Sequence, residues 1–204
     1  MLDPAQETAR LKDLLPASWR MRTTIKPSLV PYQVITSSAL PPWRNPLKVE
    51  INFALWSELA LVERDLLFLR EVSFDHQRNW LKFGVFQSLF ILSLVGSLLQ
   101  FNQGDLTGTA IALGLGSVSA WQVWRQTQGV AVQLSADWEA IQVAERRGYT
   151  QTTAAQALLA SMARVAEIEG RTTPDFVELI RSQQLKVLAG LSDISIPSEV
   201  TAEY

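Results

Sequence analysis

The chain has 204 residues, with 18 Lys and Arg against 20 Asp and Glu, one His and no Cys. A formal charge of −2 argues against a nucleic-acid binder, which shows a basic excess or stripe. Without Cys there are no disulfides, thiolate nucleophiles or Cys-type zinc sites, and a lone His76 removes His-pair metal sites and leaves little room for a Ser-His-Asp triad.

In chain order, residues 1–20 read as an N-terminal helix. Asp3 and Pro4 form an N-cap and N1 pair, Leu11, Leu14 and Leu15 give an apolar face, and Pro16 stops the helix. The start has no basic n-region or apolar h-region, so no cleavable signal peptide is expected. Residues 21–82 read as a cytoplasmic strand and long-helix region. β-like runs stand at Arg22–Ile25 and Tyr32–Thr36, before the clearest strand, Leu47–Phe53. There Leu47, Val49, Ile51 and Phe53 alternate with Lys48, Glu50 and Asn52, the period of a half-buried strand. A helix from Glu58 to Trp80 follows, with Leu59, Val62, Leu66, Leu69 and Val72 as its apolar stripe.

Residues 83–124 carry one charge, Asp105, and split into Phe83–Phe101 and Leu106–Trp124 around the turn Asn102-Gln103-Gly104-Asp105. As helices these 19-residue halves come close to the thickness of a hydrocarbon core, so a transmembrane hairpin is expected, with a buried soluble hairpin as the competing reading. Ser93, Ser97, Ala112, Gly116 and Ala120 recur at four-residue spacing, which lets membrane helices approach closely. Arg78, Trp80, Lys82, Trp121, Trp124 and Arg125 gather at the open end, as an interfacial belt would. The positive-inside rule then places both termini on the cytoplasmic side. Residues 125–192 read as a cytoplasmic helical region. It has helices at Val130–Arg147, Thr152–Glu169 and from a Thr173-Pro174 cap to Ala189, the first two closed by Gly148 and Gly170. Residues 193–204 read as a flexible tail.

This order of strand, amphipathic helix, membrane hairpin and later helix resembles the membrane zinc metallopeptidases of the HtpX and CAAX-prenyl-protease type. Arg70-Glu71-Val72-Ser73-Phe74 stands where their H-E-x-x-H would be, and Gln133 to Asp137 where a later E-x-x-A-D would be. The resemblance implies an α+β, mainly helical fold, with a small N-terminal β-hairpin or sheet edge, zincin-like helices and a membrane hairpin. At the three ligand positions stand Arg70, Phe74 and Gln133, so no metal or cofactor is expected; Glu71 and Asp137 alone match the motif. A guanidinium has no lone pair to give, and zinc needs three protein ligands. The chain also resembles a cyanobacterial family of this length that shares Arg-Asp-Leu-Leu-x-Leu-Arg, the hairpin and Arg-Arg-Gly-Tyr. That likeness implies a thylakoid location and a photosynthetic complex, a photosystem for instance, as partner.

The combined expectation is a non-catalytic pseudopeptidase acting as a scaffold or assembly factor. A partner's segment would add to Leu47–Phe53 as an edge strand. Its alternative is a hydrolase or ion-binding protein, in which Glu71, Asp75 and Asp137 gather round a hard cation. Arg146-Arg147 would favour a helix C-terminus or lipid headgroups, and His76 beside Asp75 is read as solvated rather than proton-transferring.

Overall fold

The computed structural model describes residues 2–38, 47–77 and 85–193, apart from the side chains of residues 38, 85–87 and 123–128. The chain divides into two compact units. The first holds α1 (Pro4–Leu14), α2 (Ala17–Arg20), β1 (Thr23–Pro27), β2 (Ile35–Ser38), β3 (Leu47–Ile51), α3 (Phe53–Trp56), α4 (Leu61–Gln77), α7 (Val130–Glu145), α8 (Gln151–Ile168) and α9 (Phe176–Leu188). The second holds α5 (Val85–Asn102) and α6 (Leu106–Gln128).

In the first unit the strand order is β1-β3-β2. β3 lies parallel to β1, with Thr23 opposite Leu47, and antiparallel to β2, with Ile35 opposite Ile51. This corrects the expectation of an edge at Leu47–Phe53: β3 is the central strand, with its backbone committed on both sides. The alternation read from sequence does send Leu47, Val49 and Ile51 inward, but into the core rather than toward a partner. Phe53 is not in the strand at all. Asn52 caps α3 by accepting from the backbone N–H groups of Ala54 and Leu55, and Phe53 opens that helix.

One core joins both sides of the sequence around the hairpin. Leu11 and Leu15 meet Val49, Ile51, Trp56, Leu66, Phe68 and Leu69, together with Ile141, Leu158 and Leu185. α8 packs closely because Ala154, Ala155 and Ser161 line its buried face. Asp3 caps α1 as expected. Gly148 closes the turn after α7 at φ +96°, a conformation L side chains rarely adopt. Two boundaries differ from the sequence reading. α4 begins at Leu61, and α9 is capped by Asp175 in a reciprocal box with Glu178 rather than by Thr173-Pro174.

A buried polar network ties α1 to α4. Arg10 donates through Nε and Nη2 to Glu7 at 2.8 Å each, and through Nη1 to Asp65. Trp56 Nε1 donates to Glu7 at 3.0 Å, and the Tyr149 hydroxyl donates to Asp65 at 2.7 Å. Arg10 and, secondarily, Trp56 and Arg64 outweigh burial and hold the Glu7 carboxyl below its ordinary value. Burial and the bond to Asp65 push the Tyr149 phenol up to about 12.

In the second unit α5 and α6 form an antiparallel hairpin whose turn is the one read from sequence. Gly104 sits at φ +77°, the Asp105 N–H donates to Gln100 O at 3.0 Å, and Asp105 caps α6 through Gly108 N. The packing between the helices is made of small groups. Ser97, Gly116 and Ser119 are buried there, and a Cβ on Gly116 would stand 2.6 Å from Ser93 Oγ. Large apolar side chains point the other way, with Leu92, Leu98, Phe101, Ile111, Leu115 and Val118 all exposed. Among the described residues no helix is long and apolar enough to cross a membrane. The expected pair of 19-residue spans is corrected to that extent. α5 ends in Gln100 and Asn102, and α6 is diluted by Thr107, Thr109, Ser117 and Ser119.

Glu7's depressed pKa sets an acid limit on the first unit. Its contribution is complete above about pH 4.5 and is lost as pH falls from there through the lower folded value. Glu7→Gln is expected to be less stable than the parent at pH 7. The gap should narrow on acidification below that point, as read by denaturant titration of tryptophan fluorescence in detergent.

Candidate functional site

The positions singled out by the metallopeptidase resemblance meet in space. α4 supplies Arg70, Glu71 and Phe74, α7 supplies Gln133 and Asp137, and α9 adds Arg181. Arg70 stands at the centre. Its Nη1 lies 2.5 Å from Glu71 Oε1, its Nη2 donates to Gln133 Oε1, its Nε lies 3.5 Å from Asp137 Oδ1, and its guanidinium stands 5.0 Å from the centroid of the Phe74 ring. The spacing explains the arrangement: residues 70 and 74 share one helix face, one turn apart.

Two arginines satisfy both carboxylates. Asp137 accepts two parallel bonds from Arg181, to Nε and Nη2, at 2.8 Å each, the bidentate fork that carboxylates favour. Glu71 Oε2 accepts from Ser37 Oγ on β2 at 2.9 Å while Oε1 faces Arg70. Burial opposes the charge on Arg181. Asp137, with Glu71 and Glu178 at longer range, outweighs it and keeps the guanidinium pKa above its ordinary value. Arg70 and Arg181 thus balance Glu71 and Asp137 charge for charge. Among the described residues, Arg70 Nε and Ser73 Oγ are buried here and make no hydrogen bond.

This donor set does not fit zinc. The three ligand positions hold a cation, a phenyl ring and a neutral amide whose oxygen already accepts from Arg70. The alternative ion site at Glu71, Asp75 and Asp137 does not form either. Among the described residues no three His, Asp or Glu side chains gather as a metal-binding group.

Other residues fall elsewhere. His76 rests against the Trp19 ring, with centroids 4.9 Å apart, and its Nε2 lies 3.9 Å from Glu139 Oε1. Arg147 donates to Leu14 O and Leu15 O, closing the end of α1. Ser97 and Gly116 are buried in the hairpin and a Cβ on Gly116 would meet Ser93 Oγ, while Ser93, Ala112 and Ala120 are half-buried. Trp121 is more than half exposed. Arg78, Trp80 and Lys82 lie outside the described residues, as do the side chains of Trp124 and Arg125. Sequence reading missed Arg181 and Ser37. For Arg181 a signal was present: it interrupts the apolar stripe Val177, Arg181, Leu185, Leu188 of α9.

Residues 9–149 match the family described as "Protein of unknown function (DUF3318)". The chain belongs to this family. The match takes in Arg10, Asp65, Arg70, Asp137 and Tyr149 and stops before α8 and α9. A relative from Synechocystis sp. (strain ATCC 27184 / PCC 6803 / Kazusa), a thylakoid membrane protein, is 29% identical over 161 residues, covering 74% of this chain and 73% of that protein. No solved structure matches the chain. The resemblance to a cyanobacterial family is thereby met, whereas the likeness to metallopeptidases has no counterpart among these matches.

The Asp137–Arg181 pair makes a stability prediction. Arg181→Leu leaves Asp137 with only the longer approach to Arg70 and should cost about 3–5 kcal/mol, as removing one partner of a buried ion pair does. Adding Asp137→Leu should recover part of that loss, measured by the same denaturant titration.

Proposed function

We propose that this chain is a non-catalytic scaffold of the thylakoid membrane, held there by the α5–α6 hairpin. The observation that carries the reading is the inverted packing of that hairpin. Small and hydroxyl-bearing residues fill the space between the helices, and Leu92, Leu98, Ile111, Leu115 and Val118 face outward. In water the packing would run the other way, because burying the large side chains is what holds helices together there. In lipid the tails are as apolar as leucine, and small residues let the backbones approach. Ser93, Ser97 and Ser117 return their hydroxyls to carbonyls of their own helix at 2.8 Å, which leaves those groups satisfied without water. The thylakoid relative supports the same location. Both ends of the hairpin then lie on one face of the membrane, and the first unit stands on the cytoplasmic side.

The binding role is read from the saturated cluster. Arg70 occupies the middle of the former motif, and its neighbours' oxygens are spoken for. On this reading a metallopeptidase plan has exchanged its metal for a guanidinium and kept its shape for holding another membrane protein, such as a photosynthetic complex. Among the described residues the outer strands of the sheet, where a partner strand would add, are β1 and β2.

Two experiments test these two parts. The chain has no Cys, so a Gln103→Cys variant can be probed cleanly in native membranes. The protein is expected to resist alkaline carbonate extraction, and release into the soluble fraction would sink the membrane reading. Labelling of residue 103 from the far face then tells a complete crossing from a hairpin that ends within the bilayer. For the scaffold, the triple variant Arg70→His, Phe74→His, Gln133→Glu is expected to bind about one zinc per chain, the stoichiometry of a three-ligand site. A folded variant that takes up no zinc would refute the metallopeptidase plan.

A further inference from the structure

We infer that the connection from β1 to β2, residues 28–34, is a lipid-contacting loop whose apolar tip enters the headgroup layer of an anionic bilayer. The inference takes its bilayer from the membrane reading above, but its argument lies within the first unit. β1 and β2 flank β3, so the connection between them crosses the end of β3 at Ile51. Its backbone is fastened there. The Ser28 N–H donates to Ile51 O at 2.8 Å, Asn52 Nδ2 to Val30 O at 3.2 Å, and the Asn52 N–H to Val34 O at 3.0 Å. At the far foot the Val34 N–H donates to Glu169 Oε1 at 3.1 Å, and the Val34 side chain is wholly buried.

Between these fixed feet Leu29, Val30, Pro31 and Tyr32 are all exposed, Leu29 to 97% and Tyr32 to 77%. Single apolar residues on a surface are ordinary, but four in succession are a cost in water unless something covers them. A loop held by its own backbone bonds keeps that tip out, and it meets its partner with little ordering left to lose. Shape and charge point to the occupant. A tip this open is convex, and aliphatic side chains beside a tyrosine ring suit the boundary between headgroups and acyl chains. The sequence from Leu14 to Val49 holds five Lys and Arg and no Asp or Glu, in a chain of net charge −2. Of these, Lys26 stands exposed at the near foot of the loop, with Glu50 beside it on β3. Glu169, at the other foot, is held by Arg171 at 3.1 Å. No carboxylate stands on the tip itself, and an anionic headgroup is the complement that this basic segment favours.

The test uses the full chain reconstituted in phosphatidylcholine vesicles with and without phosphatidylglycerol. The chain has no Cys, so single cysteines can carry an environment-sensitive fluorophore. Leu29→Cys and Tyr32→Cys report the loop, and Leu98→Cys the hairpin. Gln156→Cys is the control, exposed on α8 and about 20 Å along that helix from Glu169. Nitroxide lipids bearing the quencher near the headgroup should dim the labels at 29 and 32 in the phosphatidylglycerol vesicles and leave the label at 156 bright. Lys26→Glu should lessen that dimming, as should salt raised to ~1 M, which shortens the Debye length to about 3 Å. If nitroxides deep in the acyl chain quench 98 while 29 and 32 stay as bright as 156, the loop contact is refuted and the hairpin reading stands. If 98 is not quenched, the hairpin reading fails, and dimming at 29 and 32 alone still upholds the loop. Equal dimming at 29, 32 and 156, or dimming indifferent to phosphatidylglycerol, overturns it. So does a blue shift at 29 and 32 that the nitroxides leave bright, which means that a second copy of the chain covers the tip.

Discussion

α4 carries two charges, Asp65 and Arg70, into the core, and neither can remain there alone. An isolated buried ion is costly enough that a protein would rather neutralise it than keep it. Each is therefore met from a different quarter. Asp65 takes Arg10 from α1 and Tyr149 from the turn after α7, while Arg70 takes Glu71, Gln133 and Asp137, with Arg181 behind. Much of the first unit's architecture follows from this: α1, α7 and α9 sit where α4's charges need them. The same pairing explains why the Arg70 cluster offers so little to catalysis, since its carboxylates already hold their partners.

The two units obey opposite packing rules. In the first, Leu, Ile, Phe and Trp are inside and hydroxyl groups are largely at the surface. In the second, serine and glycine lie between the helices and the leucines face out. A change of sign of this kind within one chain is what the proposed membrane setting of the hairpin would produce, because the hydrophobic effect needs water to act against.

How much of this could be read from residues alone varied with how local the cause was. The hairpin turn, the Asp3 cap, the Gly148 closure and the small-residue side of α5 and α6 depend on neighbours within a few positions, and sequence spacing places them well. For Leu47–Phe53, period two tells which face is buried but not which strands lie on either side. A strand with both neighbours present alternates in the same way as one with a free edge. Arg181 was passed over because its partner Asp137 is 44 residues away. Only the oddity of an arginine on an apolar stripe pointed to it. The meeting of Arg70 with Gln133, 63 residues apart, follows from no rule of periodicity.

The bond from Tyr149 to Asp65 spans 84 residues, and the whole hairpin lies between its ends. That separation governs the order in which the protein can be completed during synthesis. When Asp65 and Arg70 leave the ribosome, Arg10 is already present, but Gln133, Asp137, Tyr149 and Arg181 are still unmade. The first half must wait with its buried charges partly unanswered while α5 and α6 are produced. Closure of the first unit is therefore a late event in biogenesis that follows the hairpin, and the site around Arg70 is among the last parts to form.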